Sequence, residues 1–226
     1  MSVRRIAKDQ PERFIFSEQS EARIKFWRGK YPNERKASAV IPMLWIVQKQ
    51  ENWVPEAAMR EIAHRLEMPY IRVLEVATFY TMFNLSPTGE HFIQVCGTTP
   101  CWLRGADELK AVCEAKIGQR GRDHVSADGK LSWEEVECLG ACANAPMVQI
   151  SNTQGDFYYE DLTAEALTQK LEKLIDGQPI EHGPVSGRNC SEPTEAKHEV
   201  LTDPSLFDGS RAKPIELPNS QPVEVA

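Results

Sequence analysis

Four cysteines in two tight pairs constrain this chain more than any other feature. Cys96 and Cys101 form a C-x4-C pair in VCGTTPCWLRG, and Cys138 and Cys142 form a C-x3-C pair in VECLGACANAP. Thirty-six residues lie between the pairs. Four thiolates brought together suit either a tetrahedral zinc or a small iron–sulfur cluster. Structural zinc sites use tighter C-x2-C knuckles. A binuclear cluster assigns two cysteines to each iron, so two looser pairs fit it better. The spacings favour iron–sulfur, with zinc, disulfides and unligated core thiols as the alternatives.

Composition narrows the chemistry further. The 226 residues carry a formal net charge of −7 and no basic stripe, which argues against a nucleic-acid partner. No run of 18 apolar residues occurs, so no membrane span is expected. The N-terminus MSVRRIAKDQPERF lacks an apolar core and does not read as a secretory signal. A reducing, cytoplasmic compartment follows as the expectation, and clustered cysteines there are metal sites or catalytic groups more often than disulfides.

Periodicity divides the chain into four stretches. Residues 1–16 read as an N-terminal arm. Residues 17–86 read as a helical bundle: Ser17 caps a helix to Trp27, SAVIPMLWIVQKQ is strongly apolar, and Pro55 and Pro69 each open a helix. Residues 87–176 change character. HFIQV is a strand ending on Cys96, Cys101–Ile117 a single helix, Gly118–Gly129 a polar loop, and Leu131–Val136 a second strand candidate. Two short strands follow around an Asn152–Asp156 turn. A last helix, capped by Thr163, stops at Gly177. The order resembles a thioredoxin-like layer without its C-x-x-C dithiol. Residues 177–226 read as a tail, with eight acids against four bases, seven prolines and Phe207 as the sole aromatic residue.

A [2Fe-2S] cluster with four thiolates carries a net charge of about −2, or about −3 when reduced. Backbone N–H groups and a helix N-terminus stabilise such charge. Cys101 is expected at a helix start, and Gly97 and Gly140 lie inside the cysteine loops, where positive φ or close approach calls for glycine. Cys113 falls on an apolar helix face and reads as a core thiol. Cys190 lies in the tail, far from either pair. The five histidines show no ligand spacing, and His91, nearest to the cysteines, reads as a strand-edge or surface residue. Glu134, Glu135 and Glu137 read as a solvated face. No nucleotide-binding glycine motif and no nucleophile–His–Asp arrangement occurs, so one-electron transfer is the remaining chemistry and no catalytic residue is assigned.

CGTTPCWLRG and ECLGACANAPM resemble the cluster motifs of the thioredoxin-like [2Fe-2S] subunit of respiratory complex I, NADH:ubiquinone oxidoreductase. AVIPMLWIVQKQENW and VATFYTMFNLSPTGEH resemble the helical part of the same family, and coverage runs from about residue 13 to 176. The resemblance implies an α+β or α/β chain, a helical bundle followed by a thioredoxin-like ferredoxin domain. It implies that Cys96, Cys101, Cys138 and Cys142 ligate one [2Fe-2S] cluster. It also implies a flavoprotein partner holding FMN and the NADH site, further peripheral-arm subunits, and a place on the cytoplasmic side of the inner membrane, or the matrix side in a eukaryote. This chain would then be one part of a redox translocase, without a complete active site of its own. The alternatives are the equivalent subunit of a soluble NAD-linked hydrogenase or formate dehydrogenase, and a free-standing thioredoxin-like ferredoxin.

Overall fold

A computed structural model describes residues 5–191. Four helices come first: α1 (Glu18–Arg28), α2 (Val40–Glu51), α3 (Glu56–Leu66) and α4 (Tyr70–Phe79), with a 3-10 segment at Asn33–Ala39 between the first two. Their boundaries follow local chemistry. The Ser17 hydroxyl accepts the Ser20 amide at the start of α1, and Glu18 and Lys25 sit at the dipole ends that suit their charge. Pro42 falls in the first turn of α2, where its missing N–H costs nothing. Pro55 and Pro69 stand one position earlier than expected, as the capping residues rather than the first helical residues. In α3 the stripe Met59, Ile62, Ala63 and Leu66 is buried, as helical spacing requires. These helices close one hydrophobic core that runs from Phe16 to Leu85 and includes Met43, Leu44, Val47, Val73 and Phe83.

The second half is a six-stranded mixed sheet with helices on it. Its elements are β1 (His91–Cys96), α5 (Thr99–Leu103), α6 (Ala106–Lys116), β2 (Gly121–Val125), β3 (Leu131–Val136), β4 (Val148–Ser151), β5 (Asp156–Glu160), α7 (Ala164–Ile175) and β6 (Gly183–Pro184). The strand order is β2-β3-β1-β4-β5-β6. β1 runs parallel to β3 and antiparallel to β4, and β5 runs parallel to β6. Ile93, Val95, Leu131, Trp133, Val148 and Ile150 meet Leu109 and Cys113 of α6 and Leu167, Leu171 and Leu174 of α7 in a second core. Each fully buried leucine there contributes about 1.5–3 kcal/mol relative to leaving it in water.

Side chains join the two halves. Lys49 of α2 donates to the Asn152 carbonyl (3.1 Å) and to Asp156 (3.0 Å) at the β4–β5 turn. Asn52 donates to the Gly89 carbonyl at 2.7 Å. Arg122 of β2 pairs with Glu134 and donates to Asn84 Oδ1 at 3.0 Å.

Three expectations change. The single helix expected over Cys101–Ile117 is two, because Gly105 takes a left-handed φ of 103° between α5 and α6. The expected polar loop 118–129 contains β2, an edge strand whose polar residues Arg122, Asp123 and His124 conceal the pairing pattern. The segment expected to leave as a tail at residue 177 stays on the sheet to residue 191, through β6 and the hydrogen bonds described below. The rest of the expected tail lies outside the described residues.

Candidate metal centre

Sheet register brings the two cysteine pairs together. In the parallel β1–β3 ladder Cys96 lies opposite Val136. The chain therefore leaves both strands at the same end of the sheet, and Cys138 follows two residues later. Cys101 is the third residue of α5, which is a single turn, so the dipole of the long helix expected at this cysteine is absent. Cys142 opens a three-residue 3-10 turn ending at Asn144. Ala106, Ala141, Ala145 and Met147 wall the thiols with small apolar surface, with Leu139 and Tyr158 packed against them.

The pairs differ in exposure. Cys96 and Cys101 are each 1 % exposed, whereas Cys138 and Cys142 face solvent. The Cys138 and Cys142 sulfurs are 3.3 Å apart. The Gly140 amide donates to Cys138 Sγ at 3.4 Å, and Thr98 Oγ1 lies 3.3 Å from Cys96 Sγ. Burial first, and then the neighbouring Cys96, push Cys101 up to about 12. The Gly140 amide, followed by Cys142, holds Cys138 below the ordinary thiol value. Cys142 is held above it, chiefly by Cys138. Cys101 and Cys142 resist ionisation where they stand, and a metal cluster supplies the positive charge that displaces their protons. The donor set therefore fits a thiolate-bound cluster.

Among the described residues no three His, Cys, Asp or Glu side chains are grouped closely enough to hold a metal ion as they stand. The thiols come instead as two pairs, one buried and one exposed.

Both loop glycines are explained, for different reasons. Gly140 has φ 87° with open space where a Cβ would go, so the backbone alone demands glycine. Gly97 has no such φ; a Cβ there would meet Cγ and Cδ of Glu135 at 2.8 Å. Glu135 is not a merely solvated acid, since it pairs with Lys110 and Arg120.

Several fasteners of the second loop carry no sequence signal. The Tyr158 hydroxyl on β5 donates to the Leu139 carbonyl at 2.6 Å. Asn144, 5 % exposed, donates to Glu160 Oε2 at 3.1 Å and to the Asn189 carbonyl at 2.9 Å. Arg188 donates to the Ala143 carbonyl at 3.1 Å. Such partners are distant in sequence and show no spacing. Cys113 is fully buried in the sheet–helix core, away from the two pairs. Cys190, half-buried, is nearer than expected, one residue from the Asn189 carbonyl that Asn144 reaches. His91 begins β1, at the far end from Cys96, and is mostly buried rather than exposed, with its pKa lowered by that burial.

Apolar side chains stand exposed beside the site. Trp102 is 55 % and Leu103 70 % exposed, immediately after Cys101. No helix of the described residues is long and apolar enough to cross a membrane.

The thioredoxin-like [2Fe-2S] ferredoxin family profile matches residues 24–175. The E 1 component of the NADH-quinone oxidoreductase of Rhizobium meliloti (strain 1021) is 48 % identical over 240 aligned residues, covering 100 % of this chain and 84 % of the relative. The E component of the NADH-quinone oxidoreductase of Rickettsia bellii (strain RML369-C) is 53 % identical over 148 residues, 65 % of this chain and 83 % of the relative. A chain of an NAD+-reducing [NiFe]-hydrogenase in the H2-reduced state superposes with a TM-score of 0.54 at 19 % identity, over 69 % of this chain and 25 % of that one, a likeness of fold. Motif, fold and relatives agree that the chain belongs to the thioredoxin-like [2Fe-2S] ferredoxin family, with E components of NADH-quinone oxidoreductases among its relatives.

Proposed function

We propose that this chain is the [2Fe-2S] electron-transfer subunit of an NADH:quinone oxidoreductase (complex I), with Cys96, Cys101, Cys138 and Cys142 as the four ligands. The observation that carries the assignment is the β1–β3 register, which ends both strands together and sets the loops that bear the two cysteine pairs side by side. Bound there, the cluster supplies reversible one-electron redox chemistry. The protein contributes what surrounds it. The buried pair and its alanine-rich wall exclude water on one side. The exposed pair leaves the other side open to a redox partner. The Gly140 amide and the Thr98 hydroxyl present hydrogen-bonding groups to sulfur.

The partner in this reading is the flavoprotein that binds FMN and NADH, within an assembly of peripheral-arm subunits on the cytoplasmic side of the membrane. With the cluster held by Cys96, Cys101, Cys138 and Cys142, this chain would supply a one-electron acceptor beside that partner, and no nucleotide site is required here. Exposed Trp102 and Leu103 beside Cys101 support a docked partner, since aromatic anchors at an interface centre contribute strongly to binding. The relatives at 48 and 53 % identity are quinone-oxidoreductase subunits, whereas the hydrogenase likeness rests on fold alone.

Anaerobic purification of the full chain tests the assignment. The expected result is two irons and two sulfides per chain, no flavin, and one S = 1/2 EPR signal after dithionite reduction. Cys96→Ser and Cys142→Ser should each lose that signal. Stoichiometric zinc in a colourless protein, or unchanged spectra in both variants, overturns it.

A further inference from the structure

We propose that residues 183–191 form a clamp that positions the second cysteine loop, with Arg188 and the Asn144–Glu160 pair as its positioning residues. The inference rests on the reading that Cys138 and Cys142 hold half of the cluster.

The two cysteine pairs are held very differently. Cys96 ends a strand and Cys101 sits in a helical turn, both buried. Cys138 lies in irregular chain and Cys142 at the first residue of one 3-10 turn, both exposed. Regular structure positions the first pair. The second needs fastening from outside its own loop.

The segment after α7 supplies that fastening. Gly183 and Pro184 add a short parallel strand opposite Tyr159 and Glu160, and the Val185 amide donates to the Glu160 carbonyl at 3.0 Å. From this base the chain returns toward the loop. Arg188 donates from Nε to Asp161 Oδ2 at 3.0 Å and from Nη2 to the Ala143 carbonyl, so one guanidinium bridges the strand end and the residue after Cys142. Ser186 Oγ holds the same Asp161 carboxylate at 2.5 Å.

A second anchor lies beneath. The Glu160 carboxylate is fully buried, and a buried carboxylate needs donors. It accepts from Asn144 Nδ2 at 3.1 Å and from the Ser191 amide at 3.1 and 3.2 Å. Asn144 also donates to the Asn189 carbonyl, and its own carbonyl accepts the Asp161 amide at 2.8 Å. Ala143 and Asn144 follow Cys142 directly, so both anchors act within two residues of an exposed thiol. The clamp lies beyond the family match at residues 24–175, while the Rhizobium relative aligns over the whole chain. Residues 183–191 thus lie outside the profile match yet reach back to the second cysteine loop.

The test compares full-length Arg188→Ala and Asn144→Ala chains with the parent, each carrying its cluster. Arg188 is 53 % exposed, so its removal opens no core cavity and that variant carries the test even if Asn144→Ala is unstable. The expected result for Arg188→Ala is a parental far-UV circular dichroism spectrum, cluster loss to a chelator about tenfold faster, and altered visible circular dichroism and EPR g-values. Parental loss rate and spectra in Arg188→Ala overturn the clamp. Hydrogen exchange separates this from the cluster assignment. If the parent chain binds no [2Fe-2S] cluster, the assignment fails, and the clamp then stands or falls on whether amides 142–145 exchange faster in Arg188→Ala. Parental exchange there overturns it.

Discussion

Replacing Gly97 with alanine tests why glycine occupies the first cysteine loop. The backbone at this position is not left-handed, so alanine meets no conformational penalty. The obstacle is the Glu135 side chain, whose Cγ and Cδ would lie 2.8 Å from the new Cβ. Glu135 has to swing away. In doing so it strains its salt bridges to Lys110 (3.1 Å) and Arg120 (2.5 Å). Surface ion pairs contribute about 0.2–1 kcal/mol each, and crowding a packed site costs about 1–3 kcal/mol. Because the clash falls on a movable side chain, Gly97→Ala should cost about 1–2 kcal/mol. With Glu135→Ala already in place the clash is gone, and alanine should be neutral or stabilise by about 0.4–1 kcal/mol through lower unfolded-state entropy. Urea unfolding of the four full-length chains under identical conditions measures the coupling. An equal cost in both backgrounds would refute the idea that Glu135 dictates the glycine.

Other outcomes follow from the same structure. Gly140→Ala meets no steric neighbour but a φ of 87°, so it should cost about 1–2 kcal/mol regardless of what stands at residue 135, measured in the same urea series. Cys113, fully buried and pushed up to about 12 by that burial, should resist alkylation at pH 8 in the native chain and react on unfolding; rapid native labelling traced by mass spectrometry would contradict its placement. Cys113→Ser should keep the [2Fe-2S] EPR signal. Arg65 holds the Glu21 carboxyl below its ordinary value, joining α1 to α3. A depressed carboxylate stabilises above its unfolded pKa and loses that contribution as pH falls through the folded one. The urea midpoint gap between the parent and Glu21→Gln should therefore be present at pH 7 and close below about pH 4.5; a gap constant down to pH 3 would count against the pair.

Much of the frame is legible in the amino-acid sequence. Ser17 and Thr163 cap α1 and α7, Gly177 ends the last helix, and the stripe in α3 faces the core, because capping and helical burial act within a few residues. The cysteine spacing points to a thiolate metal site, and Gly140 to a left-handed turn, for the same local reason. Strand β2 is hidden because an edge strand with exposed polar side chains lacks the alternation that reveals a strand. The break at Gly105 is hidden because an apolar stripe continues across it.

What the chain encodes locally is which groups are present: the four thiols, the caps, the turn glycines and the apolar stripes. Tertiary structure alone decides how they meet. The parallel pairing of β1 with β3 places two loops, whose nearest cysteines are separated by thirty-six residues, at one end of the sheet. The return of residues 183–191 onto Asn144, Glu160 and Asp161 ties the start of an expected tail to the loop that follows Cys142. Neither is readable in spacing, because hydrogen bonds between distant segments are selected by the geometry of the folded sheet and leave no period in the sequence.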